Sequence, residues 1–269
     1  MLINTKILRP INWKNLIRVG KDNDGGYVIP YEIIFKTDVL LSYGINKDWS
    51  FEKYFLKNNS NVNIHCYDHT LNFFSLILYT IKSILLVPIY CITLDSKRLK
   101  RCIYGIFIIP DYFIFFGKKA KHFKYRIWDT NEDNSKTIKS TLNELPKALR
   151  KNIFIKMDIE EAEYKVLDDI IDLSDFIGAI VVEFHAIDKF AEDFNKIINK
   201  ILKHFNIVHV HGNNYSKLLT NQNFPSAIEI TFINKSHCDK NVKLSIKKYP
   251  LEGLDQPNKI SRPDYDIVF

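Results

Sequence analysis

The stretch Lys156-Met157-Asp158-Ile159-Glu160-Glu161-Ala162-Glu163 sets a cluster of acids where an apolar strand gives way to a helix. Ile153 to Ile155, just before it, reads as a buried parallel strand, and Ala162, Val166, Leu167, Ile170 and Ile171 recur after it with helical spacing. A strand running straight into a helix predicts an α/β sheet. In open sheets of that kind ligands bind outside the carboxyl ends of the strands, so Asp158 is expected beside one. Glu160, Glu161 and Glu163 also suit a helix N-terminus through its dipole. That accounts for Glu161 but not for an acid ending the strand itself.

Working outward, Val39 to Gly44 reads as a buried strand ending in glycine, Ser50 as the cap of a following helix, and Val62 to Tyr67 as a second strand closed by Asp68. This is the βαβ layout of a nucleoside site, in which the glycine admits the ligand and the acid accepts hydrogen bonds from ribose hydroxyls. One glycine stands where a dinucleotide fingerprint has three. Upstream, Asp24-Gly25-Gly26-Tyr27 reads as a hairpin tip. Downstream come Ile180 to His185, an amphipathic helix with Phe190, Phe194, Ile197, Ile201 and Phe205 on or near one face, and Ile207 to His211 followed by Gly212-Asn213-Asn214. Ile228 to Ile233 and Val242 to Ile246 are expected to close the sheet, with Leu254 to Asn258 as a structured cover. Strand period puts Glu183 and His185 on one side of their strand, and His209 and His211 on one side of theirs. Carboxylates and imidazoles gathered at one rim suit proton abstraction or a divalent metal.

With 269 residues, 46% hydrophobic and 26% charged, the chain suits one α/β domain with insertions, spanning 1–269. Its net charge of +7 favours an anionic ligand or simply solubility. Cys66, Cys91, Cys102 and Cys238 lack paired metal spacing and read as free thiols of a reducing compartment. Lys6, Arg9 and Pro10 stand where a signal peptide needs its apolar core, so a cytoplasmic location is expected. From 71 to 126 the pattern breaks into apolar runs and basic groups, Lys97-Arg98-Leu99-Lys100-Arg101 and Lys118-Lys119-Ala120-Lys121. The first run approaches the roughly 20 residues of a membrane span, but Lys82 and Pro88 argue against spanning. The segment is read as an inserted helical, basic subdomain. It is expected to pack on the core or on a second copy of the chain, or to contact the inner membrane face peripherally through 71–116.

Together, Arg18-x-Gly20 with Asp24-Gly25-Gly26-Tyr27, Ser42-Tyr43-Gly44-Ile45-Asn46 through Glu52, the 156–163 block, Glu183-Phe184-His185 and His209 to Asn214 resemble the FkbM-type S-adenosylmethionine-dependent methyltransferases. Members of that family usually carry glycine where this chain has Glu161. The resemblance implies a class I methyltransferase fold, Rossmann-like, with a mainly parallel seven-stranded sheet flanked by helices. It implies a cofactor bordered by Tyr43, Gly44 and Asn46, held at the ribose by Asp68, completed by Glu52 and Asp24 to Tyr27, and with Asp158 near the reacting methyl. His185 is the expected general base, oriented by Glu183 or Asp158, unless a Mg-like ion on Asp158 and Glu183 acidifies the acceptor hydroxyl instead. His209, His211, Asn213 and Asn214 are expected to contact a sugar or nucleotide-sugar acceptor, a surface polysaccharide precursor, and no nucleic acid is expected. Two other readings stay open: a metal-dependent hydrolase using Asp158, Glu183, His185 and His209, and a non-catalytic membrane-associated protein.

Overall fold

A computed structural model describes residues 2–117, 120–239 and 241–269; Lys118 and Lys119 of the second basic group lie outside the described residues. In chain order, β1 (Leu16–Gly20) and β2 (Gly26–Pro30) form an antiparallel hairpin, followed by α1 (Tyr31–Lys36), β3 (Val39–Tyr43), α2 (Ser50–Asn58) and β4 (Asn63–Tyr67). Three helices come next, α3 (Phe73–Ile92), α4 (Ser96–Ile106) and α5 (Ile108–Phe115). The short strands β5 (Ala120–Phe123), β6 (Arg126–Ile127) and β7 (Ser135–Lys136) lead to α6 (Ile138–Asn143) and β8 (Ile153–Met157). The chain then runs through α7 (Glu163–Asp172), β9 (Ile177–Phe184), α8 (Ala191–Ile201), β10 (Phe205–Gly212) and β11 (Ile228–Asn234).

Seven of these strands make one sheet in the order β10-β11-β9-β8-β3-β4-β5. All pairings from β9 through β5 are parallel, and β11 runs antiparallel to both β9 and β10. A single reversed strand in that position is the class I methyltransferase sheet expected from the sequence. The central strands are buried on both faces, which is why they read as continuous apolar runs. Strand period sends Val39, Leu41, Ile153 and Ile155 into a layer with α6, α7 and α8. Leu40, Ile64, Phe154 and Val181 go into a layer with α1 and α2, where Phe51 packs tilted and Phe55 edge-on against Phe154. Each such side chain fully removed from water contributes about 1.5–3 kcal/mol.

Several expectations shift. Ser50 is the first residue of α2, not its cap; its amide donates to Asp48 Oδ1 at 2.9 Å, so the aspartate satisfies the free N–H. Val242 to Ile246 form no sheet strand. The segment pairs with the leader instead: Ile11 bridges Leu244, Asn12 N–H donates to Lys243 O at 2.7 Å, and Ser245 N–H donates to Pro10 O at 2.8 Å. Within 71–126, the helical part ends at Phe115, and the edge strand β5 belongs to the main sheet. Leu254 to Asn258 do cover the fold, with Gln256 Oε1 and Pro257 O accepting from Asn23 at 2.8 and 3.0 Å.

The inserted helices are stapled to the sheet domain. Asn72 and Ser75 form a capping box that starts α3, and the Asp95 side chain caps α4. Thr80 Oγ1 donates to Gly105 O at 3.1 Å, and a Cβ on Gly105 would collide with Ser83, so glycine lets α3 and α4 cross closely. Lys53 of α2 reaches Asp111 of α5 at 2.6 Å, and Trp49 packs on Tyr112 and Phe116.

Candidate functional site

Strand order reverses between β3 and β8, and a crevice opens there beyond their carboxyl ends. A cavity of about 1060 Å³ occupies it. Gly44, Asp68 and Asp158, the tips of three adjacent strands, all line this one space. The hairpin adds Asp24, Gly25 and Tyr27, and the insertion adds Tyr79, Lys100, Arg101 and Tyr104 as a wall absent from the expected site.

The rim is tied together by backbone. Gly44 adopts φ +76°, and an ideal Cβ there would overlap the carbonyl oxygen of Asp158, so only glycine allows β3 and β8 to meet at their tips. Asp158 N–H donates to Tyr43 O at 2.9 Å, and Lys156 Nζ donates to Gly44 O at 2.8 Å. Burial works against the Lys156 charge, but Glu52 and Asp158 outweigh it and hold the ammonium charged. Asp68 is committed to its surroundings. Oδ2 accepts from the amides of Ile45 and Asn46 at 3.0 and 2.7 Å, and Oδ1 accepts from Thr70 N and Oγ1 at 2.8 and 2.6 Å. Despite burial, these bonds hold its pKa below the usual carboxylate value. The acid therefore shapes the Gly44–Asn46 loop, and with Leu71 N–H also donating to Oδ1 at 3.3 Å its lone pairs are taken up by the protein itself, so the expected ribose contact would have to displace one of these donors.

Beside the cavity stand Asp158, Glu183 and His185, with donor atoms within 4.8 Å of one another. Asp158 faces the cavity, and Glu183 is buried behind it. The Tyr27 hydroxyl donates to Asp158 Oδ2 at 3.2 Å, and Asn213 Nδ2 donates to Glu183 Oε1 at 2.6 Å. His185 Nδ1 lies 3.0 Å from Glu163 Oε1, while Nε2 lies 3.6 Å from Glu183 and 3.7 Å from Asp158 and from Glu160. Burial opposes the charged imidazole, yet the Glu163 hydrogen bond and the charges of Glu183 and Asp158 push its pKa up to about 10. The Glu163 hydrogen bond and the acidic surroundings favour the charged imidazole, which weighs against His185 as the expected general base. Burial, then the charges of Asp158 and Glu229, pushes Glu183 well above the usual carboxylate range.

Other expected site residues lie elsewhere. Tyr43 points into the opposite layer, its hydroxyl 2.7 Å from Thr141 Oγ1, because strand period turns it away from the rim. Glu52 is fully buried and does not line the cavity, with Ser42 donating to it, and Gly26 pairs with Gly20 beside the hairpin turn without reaching the cavity. His209 is buried against Asp255 at 3.1 Å, and His211 is held between Glu229 at 3.3 Å and Asp264 at 2.9 Å. Asn214 Nδ2 lies 3.1 Å from each of the carbonyls of Lys259, Arg262 and Pro263. The C-terminal tail thus takes up the polar atoms read as acceptor contacts, and Asn213 serves Glu183. His209 does not join Asp158, Glu183 and His185, so the four-residue hydrolase site does not assemble.

Lys156 and Glu163 were legible as residues of the acid block but not as partners of Gly44 and His185; only the packing of α7 against the end of β9 pairs the last two. The block also explains its departure from the family pattern. Glu161 sits at φ +74°, the left-handed region that glycine adopts without strain.

Among solved structures, similar chains include precorrin-6y C5,15-methyltransferase from Geobacter metallireducens, at 12% identity over 76% of this chain and 87% of that chain, with a TM-score of 0.37. Others are the plantazolicin methyltransferase BpumL in complex with SAH (9%, 76% and 79%, TM-score 0.35) and a predicted O-methyltransferase from Agrobacterium tumefaciens (9%, 76% and 80%, TM-score 0.34). With TM-scores below 0.5 these likenesses carry no weight, and the fold stands on its strand order. No curated protein matches the chain at a significant level. Residues 88–215, from within α3 through β10 and just beyond, match the family model of the methyltransferase FkbM domain, and the matched segment carries the acid block, β9 and His185.

Proposed function

We propose that this chain transfers a methyl group from S-adenosylmethionine to a hydroxyl of a carbohydrate, in particular a nucleotide-linked sugar or surface polysaccharide precursor. The observation that carries the reading is the cavity at the β3/β8 reversal with Asp158 facing into it. Its volume lies at the upper end for one drug-sized ligand, which leaves room for part of an acceptor beside the cofactor. The residues suit the cofactor: Tyr27, Phe51 and Tyr67 offer aromatic surface, Asp158 offers a carboxylate to a sulfonium, and Lys21 and Lys156 offer cations to a carboxylate. When bound, S-adenosylmethionine supplies an electrophilic methyl group.

The chain's own part is alignment and charge. Asp158 accepts the hydrogen bond of the acceptor hydroxyl and takes its proton as the oxygen attacks. Tyr27 fixes the Asp158 carboxylate, and His185 with Glu183 holds charge balance behind it. Lys100, Arg101 and Arg126 at the cavity wall suit the phosphates of a nucleotide-linked sugar. A divalent cation on Asp158, Glu183 and His185 is the alternative way to acidify the hydroxyl. One donor there is an imidazole nitrogen, which fits a transition metal better than Mg.

Calorimetry with S-adenosylmethionine and S-adenosylhomocysteine tests the cofactor, and folded protein that binds neither defeats the reading. Labelled S-adenosylmethionine with a panel of sugar nucleotides tests the acceptor. Cofactor binding with no label transferred to any sugar leaves the methyltransferase and removes the carbohydrate. Activity unchanged by a chelator excludes the cation route.

A further inference from the structure

The inserted helices carry an apolar face that the rest of the fold leaves uncovered. On α3, Phe74, Leu78, Ile81, Leu85 and Ile92 recur at helical spacing along one stripe and are all exposed. The helix is 20 residues of strongly apolar sequence, yet only 11% of its most apolar window is buried, so it is no core helix. Ile103 on α4 and Phe107 at the junction of α4 and α5 are exposed as well. Cations lie within these stripes: Lys82 falls between Leu78 and Leu85, and Lys100 is one turn from Ile103.

Charge identifies the occupant. Residues 71–126 contain ten Lys and Arg against two Asp, a net charge of +8, whereas the whole chain carries +7. The excess positive charge of the protein therefore resides in this segment. Both acids are engaged, Asp95 capping α4 and Asp111 paired with Lys53. A second copy would bring like charge against like charge, while an anionic leaflet complements both the cations and the apolar stripe. We infer that α3 and α4 dock this protein on the surface of an anionic membrane, with α3 lying in the headgroup region.

The helix lies flat and does not cross. Lys82 is at its middle, and α3 is locked at Ser83 and Thr80 to Gly105 of α4, whose Lys97, Arg98, Lys100 and Arg101 bar α4 from hydrocarbon. Tyr79 and Tyr104 from the same two helices line the cavity, so docking sets its mouth near the headgroups. This inference does not depend on the reaction proposed above.

Flotation of the full chain with phosphatidylcholine vesicles, with and without phosphatidylglycerol, provides the test. Binding is expected to the anionic vesicles alone and to fall steeply with salt. Lys82→Gln and Lys97→Gln should each weaken it about fivefold, and Leu85→Glu with Ile92→Glu should abolish it. All these variants should keep the parent unfolding midpoint and S-adenosylhomocysteine affinity, which separates lost docking from lost folding. A parent that stays with the unbound fraction at low salt overturns the inference. So does a parent that forms a dimer dissociated by Leu85→Glu and ignores vesicles, since the face would then be a self-contact.

Discussion

Gly44→Ala probes both the fold and the cofactor site, because Gly44 is where β3 and β8 come together at the cavity. The methyl group would require a left-handed φ from an L-residue, costing about 1–2 kcal/mol. It would also collide with the Asp158 carbonyl, which must move away and strain the Asp158 N–H to Tyr43 O bond of 2.9 Å. Weakening one such buried bond costs about 1 kcal/mol. The total, about 2–3 kcal/mol, corresponds to a Tm lower by roughly 4–12 °C for a domain of this size. Because the carbonyl moves with Asp158 and with the Lys156 bond to Gly44 O, cofactor affinity should fall at least tenfold as well. Thermal unfolding with and without S-adenosylhomocysteine reads both effects in one experiment. A variant within about 1 °C of the parent, with unchanged ligand-induced stabilisation, would refute the close approach of the two strand tips.

Three further outcomes are expected. Glu161→Gly removes a left-handed strain of about 1–2 kcal/mol against about 0.5–1 kcal/mol of added chain entropy; the exposed pair with Lys189 contributes little. Tm should rise by a degree or more, and a fall would show that the turn is held otherwise. His185→Ala leaves Asp158 and Glu183 without the cation between them, so turnover should drop at least tenfold, with S-adenosylhomocysteine affinity within about threefold of the parent. Unchanged turnover in a sensitive assay would remove His185 from the chemistry.

The tail should also respond to pH. His211 is raised from 6.5 to about 10 by Asp264 and Glu229 against the effect of burial, so its contribution is full below 6.5 and is lost as pH rises through 10. Asp255 is lowered from 3.8 by His209 against the effect of burial, so its contribution is present above 3.8 and is lost as pH falls. Proteolysis of the tail should therefore be slowest between about pH 3.8 and 6.5 and quicken as pH rises toward 10, and a flat profile from pH 5 to 10 would refute the His211 pairing.

Local sequence determined the elements and their order. Runs such as Ile153 to Met157 and Ile177 to Phe184 are buried throughout and apolar except for Lys156 and Glu183 near their carboxyl ends, and the acid block marked a strand end without any tertiary information. The same reasoning gathered Gly44, Asp68 and Asp158, because parallel strands deliver their carboxyl ends to one edge. It could not assign partners. His209 and His211 looked like rim ligands since alternation fixes only which face a side chain takes; the tail that covers them arrives from more than 40 residues away. His185 looked like a base for the same reason. Its charge depends on Glu163, which α7 brings within 3.0 Å, and on Asp158, held beside it by parallel pairing of β8 with β9, as well as on Glu183 two residues before it. Chain-local patterns fix which residues are apolar and where strands end, while protonation and hydrogen-bond partners depend on distances between segments, and those exist only once the sheet and its helices have packed.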